Sequence, residues 1–148
     1  MKIYIGADHG GFKLKEELKD YLGELGFDLE DMGAAELVDG DDYPDFVMPV
    51  AQKAVEIETL GIVIGRSGNG EAMAANKVRG ARAALCRTVE DAKLAREKND
   101  ANVLSLGADF TDSETAKQIV KTFLETPFSD SERHARRIKK ITDYESIH

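Results

Sequence analysis

The sequence predicts an α/β fold of three layers: a five-stranded parallel sheet with helices on both faces and a further helix at the C-terminus. Two observations carry this expectation. Short apolar runs alternate along the chain with segments in which apolar residues recur every three or four positions. The run Leu60-Gly61-Ile62-Val63-Ile64 is also continuously apolar, as a strand buried on both faces must be.

The elements follow in order. Ile3, Tyr4 and Ile5 form a first strand ending at Gly6-Ala7-Asp8-His9, and Leu14, Leu18, Tyr21, Leu22 and Leu25 then recur at helical spacing. A weaker strand spans Phe27–Met32. After a Gly/Asp-rich loop, Pro44 opens a helix marked by Phe46, Val47, Val50, Ala51, Ala54 and Val55. Leu60–Ile64 is the third strand, and Ala81–Cys86 and Asn102–Leu106 are the fourth and fifth. Short helices are expected at Asn69–Lys77 and Thr88–Arg96, with longer ones at Thr111–Leu124 and Ser129–Tyr144. This alternation defines a Rossmann-like arrangement.

Composition narrows the function class. A chain of 148 residues with no linker, repeat or low-complexity segment reads as one domain, residues 1–148. The single cysteine, Cys86, lies in an apolar run and reads as a core thiol rather than a nucleophile. The absence of a basic leader and of a long apolar stretch points to the cytoplasm, with no membrane as partner. A net charge of −8 argues against a nucleic-acid surface, although local basic clusters could hold a small anion.

Three segments carry chemistry. In open α/β sheets ligands bind beyond the carboxyl ends of the strands, which gives Asp8 and His9 positional priority, although Asp8 could equally be a helix N-cap. The turn Gly65-Arg66-Ser67-Gly68-Asn69-Gly70-Glu71 follows the third strand and leads into a helix. Its glycines let the backbone approach a ligand, and its N–H groups can face negative charge. Neither the dinucleotide pattern G-x-G-x-x-G nor the Walker pattern is met, so no nucleotide cofactor is expected. Glu71 is a carboxylate beside donor-rich backbone, as proton abstraction next to a carbonyl requires. On the last helix Arg133 and Arg137 are four residues apart and share a face suited to a phosphate, while Ile138 and Ile141 are expected to face elsewhere. No residue spacing suggests a metal site.

Together these segments resemble the ribose-5-phosphate isomerase B family, which includes allose- and galactose-6-phosphate isomerases. The resemblance spans nearly the whole chain. It rests on G-A-D-H-G-G at Gly6–Gly11, D-Y-P at Asp42–Pro44, G-x-S-G-N-G-E with A-A-N-K-V at Gly65–Val78, L-A-R-E-x-N-D at Leu94–Asp100, N-V-L at Asn102–Leu104, and T-P-F then R-H-x-x-R at Thr126–Arg137. The resemblance implies a cofactor-free aldose–ketose isomerase of a sugar phosphate, ribose 5-phosphate being the family default. A tetrose 4-phosphate, a hexose 6-phosphate or a non-catalytic sugar-phosphate-binding role are the alternatives. By the same resemblance Glu71 is the base, Gly65 occupies the place where another branch carries a catalytic cysteine, and Asp8 and Tyr43 line the sugar site. Ser67 and the Gly68, Asn69 and Gly70 backbone would stabilise the intermediate, Asn99 would hydrogen-bond it, and His9, Arg133 and Arg137 would take the phosphate.

Three departures stand out. Lys98 occupies the place of a histidine thought to open the sugar ring, and an ammonium is a poorer proton shuttle than an imidazole. Asp109 stands where relatives carry a phosphate-binding arginine, and Arg66, replacing a common glycine, is the candidate to compensate. Lys98 and Asn99 precede the fifth strand and so lie at the opposite edge of the sheet from the Ser67 loop. A homodimer with shared sites, or a tetramer built from it, would bring them together.

Overall fold

The computed structural model describes residues 1–148. Its elements are β1 (Lys2–Ala7), α1 (Phe12–Glu24), β2 (Asp28–Asp31), α2 (Pro44–Ala54), β3 (Thr59–Gly65), α3 (Asn69–Ala75), β4 (Ala83–Leu85), α4 (Val89–Asn99), β5 (Val103–Gly107), α5 (Ser113–Glu125) and α6 (Glu132–Ile147). All strands pair in parallel in the order β2-β1-β3-β5-β4. The three-layer α/β architecture expected from the alternation of runs is present.

Side-chain alternation divides the core. Ile3, Ile5, Ala7, Ile62, Ile64, Leu104 and Leu106 face α1, α4 and α5, while Tyr4, Val63 and Val103 face α2 and α3. The second face is tight because it is partly bare. A Cβ on Gly61 would meet Val50 at 2.7 Å, and one on Gly6 would meet Val50 and the Phe46 carbonyl at 2.9 Å, so these glycines let α2 lie close. On the first face Lys15 is fully buried, donating to both oxygens of Asp31 at 2.9 and 2.8 Å and to the Ala34 carbonyl at 2.6 Å. The Ala34 N–H bonds the Ala7 carbonyl, and the Ala7 N–H bonds the Gly33 carbonyl. Lys15 thus fastens the segment beside the end of β1.

Several boundaries differ from expectation for local reasons. β4 is three residues long, because the Arg82 N–H is taken by the Asn102 side chain at 2.7 Å rather than by a strand. α4 runs past Arg96 to Asn99 and stops where Asp100 turns left-handed (φ 46°), so Lys98 and Asn99 belong to its last turn. α5 begins after Asp112, whose side chain caps Thr115 N–H, leaving Thr111 outside it. α6 starts at Glu132 and reaches Ile147, because the Ser129 N–H is bonded to the Glu97 carbonyl instead of entering the helix. No helix is long and apolar enough to cross a membrane.

Candidate active site

The chain order reverses between β1 and β3, and it is beyond the carboxyl ends of strands at such a switch point that ligands bind in open α/β sheets. Gly65 ends β3. A Cβ placed there would fall on the carboxylate of Glu71, so glycine at this position is what gives that side chain its seat. The turn between them is fixed from below. Gly68 is left-handed (φ 83°), its carbonyl accepts the buried Ser105 hydroxyl at 2.7 Å, and the Ser67 hydroxyl accepts the Asn69 N–H at 3.1 Å. Ser105, unremarked in the sequence because it sits in an apolar strand, therefore orients the loop that carries Glu71.

Glu71 is 4% exposed. Burial pushes its carboxyl above the ordinary value of 4.5, the negative charge of Asp8 adds to the rise, and the backbone N–H groups of Glu71 and Gly68 oppose it. A carboxyl so raised keeps high proton affinity, as a base for carbon acids needs.

Asp8 lies beside it, 7% exposed. It does not cap α1, whose N-cap is Gly11; its Oδ1 accepts the Gly10 N–H at 3.0 Å. His9 is clamped by Asp41, which accepts its backbone N–H at 2.8 Å and meets its Nδ1 at 2.7 Å, with Asp8 Oδ2 at 3.9 Å. The Asp41 hydrogen bond raises the His9 pKa, so the imidazole tends towards the charged form that suits an anion. Asp41 Oδ2 is buried with no partner, leaving an acceptor for a hydroxyl. Asp8, His9 and Asp41 have ligand atoms within 4.8 Å of one another, but the Asp41–His9 hydrogen bond already accounts for that closeness. Tyr43 lies over Gly70, where a Cβ would meet its ring and hydroxyl at 2.7 Å. Asp8, His9, Tyr43 and the Gly65–Glu71 turn thus form one cluster.

A second cluster lies apart from it. A cavity of about 250 Å³ is lined by Lys98, Asn99, Arg133, His134, Arg137, Ile138 and Ile141. Ile138 and Ile141 share it with the arginines, contrary to the expectation that they face elsewhere. At 100° per residue, positions 133, 137, 141, 134 and 138 occupy an arc of roughly 140° on one helix. His134 was passed over between its arginines. It is 8% exposed, and Ser129 Oγ lies 2.9 Å from its Nδ1.

Within one chain, His9 is therefore not gathered with Arg133 and Arg137. Arg66 belongs to the turn of the first cluster, its backbone and stem lying against Gly10, but its side chain is exposed and its guanidinium lies 3.7 Å from Asp109, so two of the three departures from the family pattern face each other as an ion pair. Cys86 is buried, its thiol pushed up to about 12 by burial, which removes it as a nucleophile. A cavity of about 430 Å³ lies at the amino ends of the strands near Arg82, Arg96 and Asp100, whose charges are mutually paired.

A family model described as Ribose/Galactose Isomerase matches residues 3–141. Ribose-5-phosphate isomerase B of Mycobacterium tuberculosis is 44% identical, the match covering 100% of this chain and 92% of the relative. Among solved structures, ribose-5-phosphate isomerase B of Clostridium thermocellum superposes with a TM-score of 0.94 at 44% identity, covering 99% of this chain and 98% of that one. The enzyme of Mycoplasma genitalium with bound ribulose-5-phosphate gives a TM-score of 0.94 at 41% identity, covering 98% and 96%.

Proposed function

The chain belongs to the ribose/galactose isomerase family, and from that membership we propose that it interconverts ribose 5-phosphate and ribulose 5-phosphate with Glu71 as the base. The observation that carries the mechanism is the buried carboxylate of Glu71 seated over Gly65, beside a turn rich in N–H donors. In the open-chain aldose, the hydrogen on C2 is acidified by the C1 carbonyl. Glu71 removes it, the resulting enediolate is stabilised at its oxygens by the turn, the O2 proton passes to O1, and the same carboxyl returns the carbon-bound proton to C1 as the C2 carbonyl forms. Ser67 and the backbone of Gly68, Asn69 and Gly70 supply the donors. Asp8, Tyr43 and the unpartnered oxygen of Asp41 receive the sugar hydroxyls.

The remaining groups reach the substrate from a second copy. Lys98, Asn99, Arg133 and Arg137 form their own cluster beside α6, whose outer residues Ile141, Tyr144 and Ile147 are 58%, 65% and 78% exposed. Pairing two chains about a two-fold axis would cover those residues and lay one copy's arginines against the other's Glu71 turn, with His9 completing the phosphate site. Two unpaired guanidinium groups on one helix face suit a phosphate dianion. Arg66, held by Asp109, sits at the rim, where it can steer an anionic substrate.

Glu71→Gln tests the assignment, because it removes the base and keeps the volume. Turnover should fall by roughly 10²–10⁴-fold, the scale of a lost general base, while the substrate still raises the melting temperature. Turnover near that of the parent enzyme would remove Glu71 from the role.

A further inference from the structure

We propose that His134 is the acid–base group that opens the furanose ring of the substrate in this enzyme, the role for which Lys98 is chemically ill suited. The proposal rests on the isomerase reading above. The need for such a group is set by the substrate: ribose 5-phosphate closes through O4 to a furanose with no carbonyl, so proton abstraction at C2 must wait for the open form.

His134 has the placement. It lines the same cavity as Lys98, Asn99, Arg133 and Arg137, so a sugar whose phosphate is held by the arginines lies beside it. Its Nδ1 is engaged by Ser129 Oγ at 2.9 Å. That oxygen also accepts the Ser131 N–H at 3.2 Å, and the Ser129 backbone is tied to the Glu97 carbonyl, so the serine is held to both α4 and α6. With the Nδ1 proton on the second lone pair of Ser129 Oγ, the lone pair of Nε2 is free. Nε2 makes no hydrogen bond within the chain and is not among the atoms sealed from solvent without a partner, and the side chain that bears it lines the cavity.

The surroundings support the neutral imidazole that a base requires. Burial comes first among the causes that lower the His134 pKa, followed by Arg133, Lys98 and Arg137, with Glu97 acting against them. The groups facing it are those on α6 and α4; the loop contributes only the uncharged Ser129. Lys98, by contrast, can accept a proton only after its ammonium has lost one.

The step balances on one residue. Nε2 takes the proton of the anomeric O1–H while the C1–O4 bond breaks and C1=O forms. The imidazolium then gives that proton to O4, and His134 returns to its starting state.

Two assays on His134→Gln separate this role from phosphate binding. One is steady-state conversion of ribose 5-phosphate, which starts from the ring; the other is exchange of the C1 proton of ribulose 5-phosphate in D2O, followed by NMR, which starts from an open-chain ketose and needs no ring step. The variant should lose at least tenfold more in the first assay than in the second. Ser129→Ala, which keeps the imidazole but frees Nδ1, should show the same imbalance to a smaller degree and serves if the glutamine variant folds poorly. Equal losses in both assays, or none, would overturn the proposal. A parent enzyme silent in both would instead remove the isomerase reading, and the proposal with it.

Discussion

Adding one methyl group at residue 65 tests whether Glu71 works from where it sits. In Gly65→Ala the new Cβ falls on Cδ, Oε1 and Oε2 of Glu71, its three nearest neighbours. The strand cannot yield easily: Gly65 is paired with Gly107 in the register of β3 and β5, and its carbonyl accepts the Ala108 N–H at 2.8 Å. The carboxylate must therefore move. Restoring a normal separation of about 3.5 Å requires a withdrawal of roughly 1 Å or a change of rotamer. A misplacement of about 1 Å costs on the order of 10²-fold in rate, which is about 2.7 kcal/mol of barrier. Overpacking a buried site costs about 1–3 kcal/mol of stability. Turnover of ribose 5-phosphate should fall about a hundredfold, with KM changing much less because the phosphate is held elsewhere. A urea melt on the same sample separates displacement from unfolding. Parental turnover would refute the reasoning, since it would mean that the base does not act from its seat over Gly65.

Arg133→Ala and Arg137→Ala should each weaken substrate binding by about 1.5–3 kcal/mol if both make charge-assisted hydrogen bonds, as titration calorimetry would measure. Arg136→Ala should change it little, because Arg136 is exposed and paired with Glu132 at 2.7 Å. Lys15→Met leaves Asp31 with Lys19 and the Gly33 N–H but strips the Ala34 carbonyl of its buried donor, so it should cost about 1–3 kcal/mol of stability in denaturant melts. Because the folded carboxyl of Glu71 has a raised pKa, its contribution to stability is full below the ordinary value of 4.5 and is lost as pH rises through the raised value; kcat/KM should rise over that same interval, and Glu71→Gln should abolish this stability dependence in pH-resolved melts.

What the sequence made legible was local. The β3 turn announces itself because three glycines, a serine and a glutamate stand within the one segment Gly65–Glu71, and the last helix because two arginines stand four apart. The parallel sheet is legible for a related reason: period-two and period-3.6 patterns are short-range properties of the chain, and parallel connection follows from their alternation, whereas the order β2-β1-β3-β5-β4 is a long-range property that no local pattern holds. Asp41 was not legible. It lies among Asp39, Gly40 and Asp42, and only the path of the loop past His9 selects one carboxylate from the three. Ser105 was hidden likewise, since a serine in an apolar strand has no visible partner until Gly68, distant in the chain, is laid over it.

The two side-chain clusters carry this argument one step further. Each cluster has a local signal, but neither signal contains the distance between them, so the motifs alone read as one site. Folding separates them. Glu71 lies at the carboxyl end of β3, whereas Lys98 and Asn99 close α4 just before the amino end of β5, and parallel strands put those ends on opposite sides of the sheet. A base without a phosphate clamp and a clamp without a base are each of little use for holding a sugar phosphate against a proton acceptor. Association would supply both at once, and would do so twice in a symmetric pair. Mixing an inactive Glu71→Gln chain with an inactive chain carrying Arg133→Ala and Arg137→Ala should then give the mixed pairs up to about half of the activity of a parental pair, through one site with both parental halves. If the mixture stays as inactive as its components after subunit exchange, each chain must build its site alone.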